Sequence, residues 1–422
     1  MTSVQAGPPG LPRLLIDGAI SLGDHLAIRG PLSPSPDLIE EVRIAGLRGR
    51  GGAGFPTAIK LAAVHDRRRR RKIVVVNGAE GEPLSQKDRT LLTRSPHLVL
   101  DGAVAGALAV KAKRVIVALK HELPQVVAAI DLAISERRGK DPVSIEVATV
   151  PDRYISGQET ALVNWLTNHL ALPTVMPPRP TDEGVFGLPT LLDNVETMAN
   201  LGLIARHGGD WWKAIGTEDE PGSILLTIQG AVDRPGIVEV AGGTPLRSVL
   251  ESAGLQSFGG LLIGGYFGGW IAPDRIDAIT LSRSSLQSAG APLGCGVIGV
   301  LPADICPIAE TARIARWLAG QSAGQCGPCT FGLPALAEAM EDLTNARTTK
   351  RDQGRSARRA LQLASNRAAV IKGRGACRMP DGAAQFVEAA LVAFAQHIAI
   401  HERGDCGLER NRAAFPTPTA KH

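Results

Sequence analysis

The chain has 422 residues, 44% of them hydrophobic and 21% charged, with a formal net charge of +5. That length accommodates about two to four domains with real cores, and no apolar stretch approaches the ~20 residues a membrane span requires. Six cysteines are too sparse for a disulfide scaffold, and the opening MTSVQAGPPGLPRLLIDG lacks the basic-then-apolar pattern of a secretory signal. A cytoplasmic location with reduced thiols is therefore expected, so paired cysteines point to metal, cluster or redox work.

Residues 1–36 are rich in Pro and Gly and read as a loose N-terminal arm. PDLIEEVRIAGL, from Pro36 to Leu47, has the start signal and apolar spacing of a helix, and a second helix is expected over Thr57–His65 with Pro56 in its first turn. Between them lies the loop GRGGAG, Gly49–Gly54. The run RRRRRK, Arg67–Lys72, has no interleaved aromatics for base stacking and reads as a solvated turn, so no nucleic-acid partner is expected. Strand patterns at 72–77, 114–119 and 143–150 alternate with helical ones at 97–112 and 123–138, which predicts βαβ units and a mostly parallel sheet.

After a Pro-rich stretch, Leu172–Pro180, the character changes. Residues 222–272 hold short strands around one short helix, as in a small β-grasp module. From Pro307 four helical patterns follow, at 307–319, 333–346, 355–371 and 383–400, with Leu333, Leu336, Met340 and Leu343 forming a buried stripe. The expected domains are thus an arm at 1–36, an α/β domain at 37–221, a β-grasp module at 222–290, a helical bundle with a lead-in strand at 291–402, and a tail at 403–422.

GRGGAG satisfies the G-x-G-x-x-G pattern, but a helix precedes it where a dinucleotide fold requires a strand. Its glycines still allow close backbone approach to a ligand, and the next helix start, with Arg48, Arg50 and Lys60 nearby, suits phosphate. NGAEGEPLSQKDR, Asn77–Arg89, follows a strand directly and so lies at a sheet's carboxyl end, where Glu80 and Glu82 suit hydroxyls or an amide rather than phosphate. GQCGPCTFG, residues 324–332, reads either as a thioredoxin-type dithiol or as part of an iron–sulfur ligand run.

GLRGRGGAGFPT, NGAEGEPLSQKDR, RYISGQETAL, GLPTLLDNVETMANL and QCGPC occur in an order that resembles the flavin-bearing, NADH-oxidising 51 kDa flavoprotein family of respiratory complex I and related hydrogenases and formate dehydrogenases. The resemblance runs from about Asp37 to Ile400. It implies a Rossmann-like FMN-binding domain, a β-grasp insert of the soluble-ligand-binding (SLBB-like) type and a C-terminal four-helix iron–sulfur bundle. Gly49, Gly51, Gly52, Gly54, Lys60, Asn77, Asn194 and Thr197 would hold FMN. Phe55, Glu80, Glu82 and Glu159 would meet NAD(H), and the same stretches bring Arg50, Ala53, Gly157 and Gln158 into the cofactor-binding set. No side chain need act as acid or base.

The family's cluster ligands follow C-x-x-C-x-x-C with a later fourth cysteine, which Cys326, Cys329 and Cys377 match while Ala323 stands at the first position. The resemblance implies a [4Fe–4S] cluster on three cysteines plus a non-cysteine or open iron site, with a [3Fe–4S] form or loss of the cluster as alternatives. Cys406 in the tail could return as a ligand, whereas Cys306 lies beyond the 307–319 helix. On the nicotinamide side Ala79, Gln158 and Arg179 replace the family's Asp, Glu and aromatic residue, and Leu61 and Ala63 replace aromatics. The function implied is FMN-dependent transfer of electrons from NADH, one at a time, to the cluster and on to a thioredoxin-like [2Fe–2S] ferredoxin-type subunit or another carrier, with membrane association only through partner subunits. A ferredoxin-fed electron-transfer protein and a cofactor-free scaffold are the alternatives.

Overall fold

In a computed structural model the described residues are 3–5, 10–16, 20–69, 71–346 and 352–418. Parts of the expected arm and tail, and Arg70 of the basic run, lie outside them. The strands in chain order are β1 (Ser3–Gln5), β2 (Ile73–Gly78), β3 (Arg114–Lys120), β4 (Ser144–Val150), β5 (Thr190–Asn194), β6 (Ser223–Gly230), β7 (Gly236–Ala241), β8 (Phe258–Ile263), β9 (Gly269–Ile271) and β10 (Val297–Pro302).

The first sheet has four parallel strands in the order β4-β3-β2-β5. Val74, Val75 and Val76 are fully buried, as a strand covered on both faces requires. Helices Pro96–Val110 and Val195–His207 cross at glycine: a Cβ on Gly102 would stand 1.7 Å from the Met198 carbonyl, and one on Gly202 2.7 Å from that of Leu98. The two helices approach backbone to backbone, which fixes the position of the sheet's carboxyl edge. Pro56 precedes the helix Thr57–His65 as its N-cap, one residue earlier than its expected place in the first turn.

The second sheet has six strands, β1-β7-β6-β10-β8-β9. Here the expected boundary at residue 290 fails. β10 pairs parallel with β6 and antiparallel with β8, in the middle of this sheet rather than as a lead-in to the helices. Its run Val297–Leu301 is buried along its whole length, and such a strand needs a partner on both edges. The loose arm is also corrected. β1 pairs with β7, Leu14 and Leu15 are buried, and His25 is buried against Asp101 Oδ2 at 2.6 Å. Composition rich in Pro and Gly hides that packing.

The C-terminal helices are Pro307–Gly320, Leu333–Asn345, Arg355–Ile371, Met379–Ala393 and Ala395–Arg403. The last expected helix is two, bent by 73°. Their apolar core takes in Leu84 and Ile155 from the first domain and Tyr266 from the second sheet. The chain then returns over the surface as a strap. Glu409 bridges to Ile305, Phe415 is buried, and Tyr266 Oη and Trp317 Nε1 donate to the carbonyls of Pro416 and Pro418 at 2.6 and 2.7 Å. Among the described residues no single helix is long and apolar enough to cross a membrane.

Gly102→Val forces the helix pair apart and is expected to cost about 1–3 kcal/mol, as overpacking does, read as a lower urea midpoint with an unchanged m-value.

Candidate functional site

β3 and β4 lie on one side of β2 and β5 on the other, so the chain reverses direction across the sheet between β2 and β5. Crevices at such points, outside the carboxyl ends, are where α/β sheets take ligands. Asn77 and Asn194 are neighbours there in register. Asn194 caps the helix Val195–His207, its Oδ1 accepting from Glu196 N at 2.9 Å and from Lys87 Nζ at 3.0 Å. Lys87 is itself buried, paired with Asp88 at 2.7 Å and Glu196 at 3.2 Å. Burial opposes its charge, but the carboxylates of Asp88, Glu196 and Glu80 outweigh that and hold the ammonium above the ordinary lysine range.

The glycine-rich loop is closed at its base by the Gly49 N–H on Phe55 O at 2.9 Å and the Thr57 N–H on Leu47 O at 3.0 Å. Its tip, Gly51-Gly52-Ala53, is exposed and lies against Asn194, whose Cβ would be 3.2 Å from a Cβ on Gly51. Gly52 (φ +121) and Gly54 (φ +61) need the freedom glycine supplies. Among the described residues, the N–H groups of Gly51, Gly52, Ala53 and Gly54 donate no hydrogen bond. Arg48 Nη1 donates to Gly54 O at 3.3 Å, and Arg283, from the helix Arg283–Ser288, sits over Gly54 so closely that a Cβ there would be 2.3 Å from its Nη1. Arg283 Nε is buried with no partner among the described residues. Free amides beneath two guanidinium groups make an anion cradle, which fits a flavin phosphate.

Not every expected ligand faces that cradle. Arg50 turns away: its guanidinium pairs with buried Glu220, and only its backbone N–H, on Thr197 Oγ1 at 2.9 Å, serves the loop. Lys60 Nζ donates to Leu192 O at 2.8 Å and lies 3.4 Å from Asp193 and 3.5 Å from Glu159, under the carboxyl edge. Phe55 stands exposed beside the loop.

The acidic loop packs on the turn Tyr154–Gly157. Asn77 Nδ2 donates to Gly157 O at 2.9 Å, and a Cβ on Gly157 would be 2.3 Å from Ala79 O. Glu80 accepts from Ser85 Oγ, and burial, with Asp88 adding and Lys87 opposing, pushes its carboxyl up to about 7. Glu82 points elsewhere. Its Oε2 accepts the Tyr266 N–H at 2.8 Å and its Oε1 the Leu84 N–H at 3.2 Å, so it ties the first domain to the second sheet rather than facing the crevice. Gln158 is the N-cap of the helix Glu159–Asn168, its Oε1 accepting from Ala161 N and Thr160 Oγ1, each at 2.8 Å. Arg179 is exposed.

Cys326, Cys329 and Cys377 converge. Cys326 and Cys329 flank the start of a π-turn, Pro328–Gly332, and Cys377 precedes the helix Met379–Ala393. Burial opposes ionisation of Cys326, but the N–H groups of Ala376 and Cys329 and the Cys329 thiol outweigh it and hold Cys326 below the ordinary thiol range. Burial, then Cys326, pushes Cys329 up to about 12; Cys377 is also raised, by burial first and by Cys326. The three cysteines lie close enough to bear on one another and could serve iron, which takes such sulfurs as thiolates. A helix, Pro307–Gly320, leads into the run where a thioredoxin-type dithiol would have a strand, and Ala323 offers no donor. Cys406 does not return to this site. It stands beside Cys306 at the opposite end of that 14-residue helix, about 21 Å away.

The cysteine run is docked on the crevice's own turn: Tyr154 N donates to Gln321 Oε1 at 3.2 Å and Arg153 Nη2 to Ser322 O at 3.5 Å. Tyr154 stacks edge-on to Phe267 and Trp317, with centroids at 4.9 and 5.3 Å.

Residues 42–202 match the Nuo51 FMN-binding domain and residues 309–401 the NADH-ubiquinone oxidoreductase-F iron-sulfur binding region. The F subunit of the NADH-quinone oxidoreductase of Streptomyces coelicolor is 30% identical over 393 residues, covering 89% of this chain and 86% of that one. The chain belongs to the complex I 51 kDa flavoprotein family. The NADP-reducing hydrogenase subunit HndC of Solidesulfovibrio fructosivorans is 30% identical over 359 residues, covering 79% of this chain and 73% of that one. An NAD+-reducing [NiFe]-hydrogenase crystal structure in the H2-reduced state superposes with a TM-score of 0.82 at 29% identity, covering 95% of this chain and 68% of that one. This member of the 51 kDa family is an NADH dehydrogenase-type flavoprotein that uses FMN and passes electrons from NADH to an iron–sulfur cluster.

Three residues at the site escaped the sequence reading. Lys87 and Asp88 stand in the acidic stretch Asn77–Arg89, and a Lys-Asp pair beside a strand end was the available signal. Arg283 reaches the loop from another domain, and nothing local marks it.

Glu80 gives a pH signature. Its carboxyl titrates near 4.5 when unfolded and about 7 when folded, so its stabilising share is complete below the lower value and is lost as pH rises through the upper one. Glu80→Gln should flatten the fall in urea midpoint of the flavin-free chain across that window.

Proposed function

We propose that the cradle of Gly51–Gly54, Arg48 and Arg283 binds the FMN phosphate, and that Asn77, Asn194 and Lys60 set the flavin against the carboxyl edge. When bound, FMN supplies the conversion of a two-electron hydride donor into single electrons. The protein's part is placement: Phe55 offers a ring face to the dinucleotide, Glu80 and Glu159 its polar contacts, and the packed Ala79–Gly157 contact excludes water. Cys326, Cys329 and Cys377 are the cluster's thiolate ligands. The second sheet acts as the SLBB-like β-grasp module, and the C-terminal helices as the iron–sulfur bundle. A thioredoxin-like [2Fe–2S] protein or another one-electron carrier accepts the electrons, on the cytoplasmic side.

One observation carries this reading. The amides free to meet a phosphate lie against Asn194 at the switch point, and the neighbouring Tyr154–Gly157 turn is hydrogen-bonded to the loop that leads into Cys326. Two other features support NADH over a ferredoxin as donor. Arg67 pairs with Asp182, and Arg69 donates to Gly187 O, so part of the basic run is engaged within the chain.

Anaerobic NADH is expected to bleach the flavin absorption of the purified protein; a flavin that only dithionite reduces would exclude NADH as donor. Gly54→Val crowds Arg283 and should cost about 2–3 kcal/mol of phosphate binding, a ~30- to 160-fold weaker FMN affinity, measured by flavin fluorescence. Ala323→Cys supplies a fourth thiolate, adding negative charge beside the irons. Redox titration followed by electron paramagnetic resonance should then show a lower cluster potential than in the unmodified chain.

A further inference from the structure

Outside the crevice and the iron-binding cysteines, four soft or borderline donors meet at one point. Cys306 is the N-cap of the helix Pro307–Gly320; His397 and His401 are four residues apart on the helix Ala395–Arg403, and so share one face; Cys406 lies on the strap that follows. Their four donor atoms all lie within 4.8 Å of one another. Cys306 Sγ is 3.5 Å from His397 Nε2 and 3.4 Å from His401 Nε2. A tetrahedron with Zn–S of ~2.3 Å and Zn–N of ~2.0 Å has an S···N edge of about 3.5 Å.

We propose that Cys306, His397, His401 and Cys406 form a tetrahedral Cys2His2 site for a structural zinc ion, separate from the iron–sulfur cluster. The donor set is the one zinc prefers, and four protein ligands leave no open position of the kind a catalytic metal keeps. Arg410 Nη2 lies 3.8 Å from Cys406 Sγ, which places a cation beside that sulfur. A Cys306–Cys406 disulfide would account for two sulfurs but not for two imidazoles turned with Nε2 toward the same sulfur. His397 also lines a cleft of about 860 Å³ between the second sheet and the last helices, which gives the ion an access route.

The site has a structural consequence. The match to the iron–sulfur binding region ends at residue 401, so the strap that carries Cys406 lies beyond it. That strap is stitched to Asp304–Cys306 by Cys306 N–H on Glu409 O and Glu409 N–H on Asp304 O, each at 2.8 Å, then runs on to cover Tyr266 and Trp317. Zinc fastens its root at the far end of the helix from Cys326.

The test uses the full chain with its flavin and iron. Elemental mass spectrometry of protein produced with zinc is expected to find about one zinc per chain, and cobalt(II) exchanged in its place to show thiolate-to-metal charge transfer and intense tetrahedral d–d bands. Cys406→Ser and His397→Ala should each lower bound zinc more than ~10-fold, in keeping with loss of one ligand, while iron and flavin per chain stay constant. His397→Gln is the second variant, should His397→Ala fail to fold. A chain that takes up neither zinc nor tetrahedral cobalt, a His397 variant that keeps its zinc, or a peptide map showing Cys306 linked to Cys406 would each overturn the assignment.

Discussion

Everything at the crevice depends on a contact between two stretches of bare backbone. The loop after β2 and the turn Tyr154–Gly157 approach so closely that a side chain at Gly157 would meet Ala79 O at 2.3 Å, and one at Gly81 would meet Tyr154 O at 2.5 Å. Glycine is needed on both sides. The same turn reaches the other way, through Tyr154 N–H and Arg153, to the loop that leads into Cys326. One packing contact therefore sets where the acidic loop stands in the crevice and how near the run that carries Cys326 comes to it.

Charge is arranged in keeping with that constraint. The cradle is cationic and open to solvent at its tip, so an anion can enter it. Just below, Lys87, Asp88, Glu196 and Asn194 form a buried network in which every charge has a partner, the condition under which burying an ion pair is tolerated. Glu82 works at the interface instead, accepting two backbone N–H groups so that the second sheet is held to the first domain. Arg283 crosses that interface into the cradle. The anion cradle and the domain packing are thus one structure.

The departures from the family pattern fall where the fold has other uses for the position. Gln158 keeps a capping role, its side-chain oxygen accepting from Ala161 N. Ala79 is buried, and its carbonyl lies against Gly157. Ala323 offers no donor where the family's run has its first cysteine.

Strong local periodicity carried much of the architecture into the sequence. The valine run of β2, the alternation with helices up to β4, and the glycine loop between two helices were all legible, because a buried parallel strand and an apolar helix stripe each write a short-range pattern. The spacing of Cys326, Cys329 and Cys377 could likewise be set beside a known ligand run. What tertiary structure alone decided is long-range. β10 found its place between β6 and β8 because a strand buried on both faces must satisfy both edges, and nothing in its neighbourhood says which strands will do so. The arm and the strap are ordered by burial of Leu14, Leu15 and Phe415 against distant surfaces. Arg283 joined the glycine loop, and Cys306 joined Cys406, across gaps that sequence spacing does not measure, since only the packed chain fixes which distant side chains share a point.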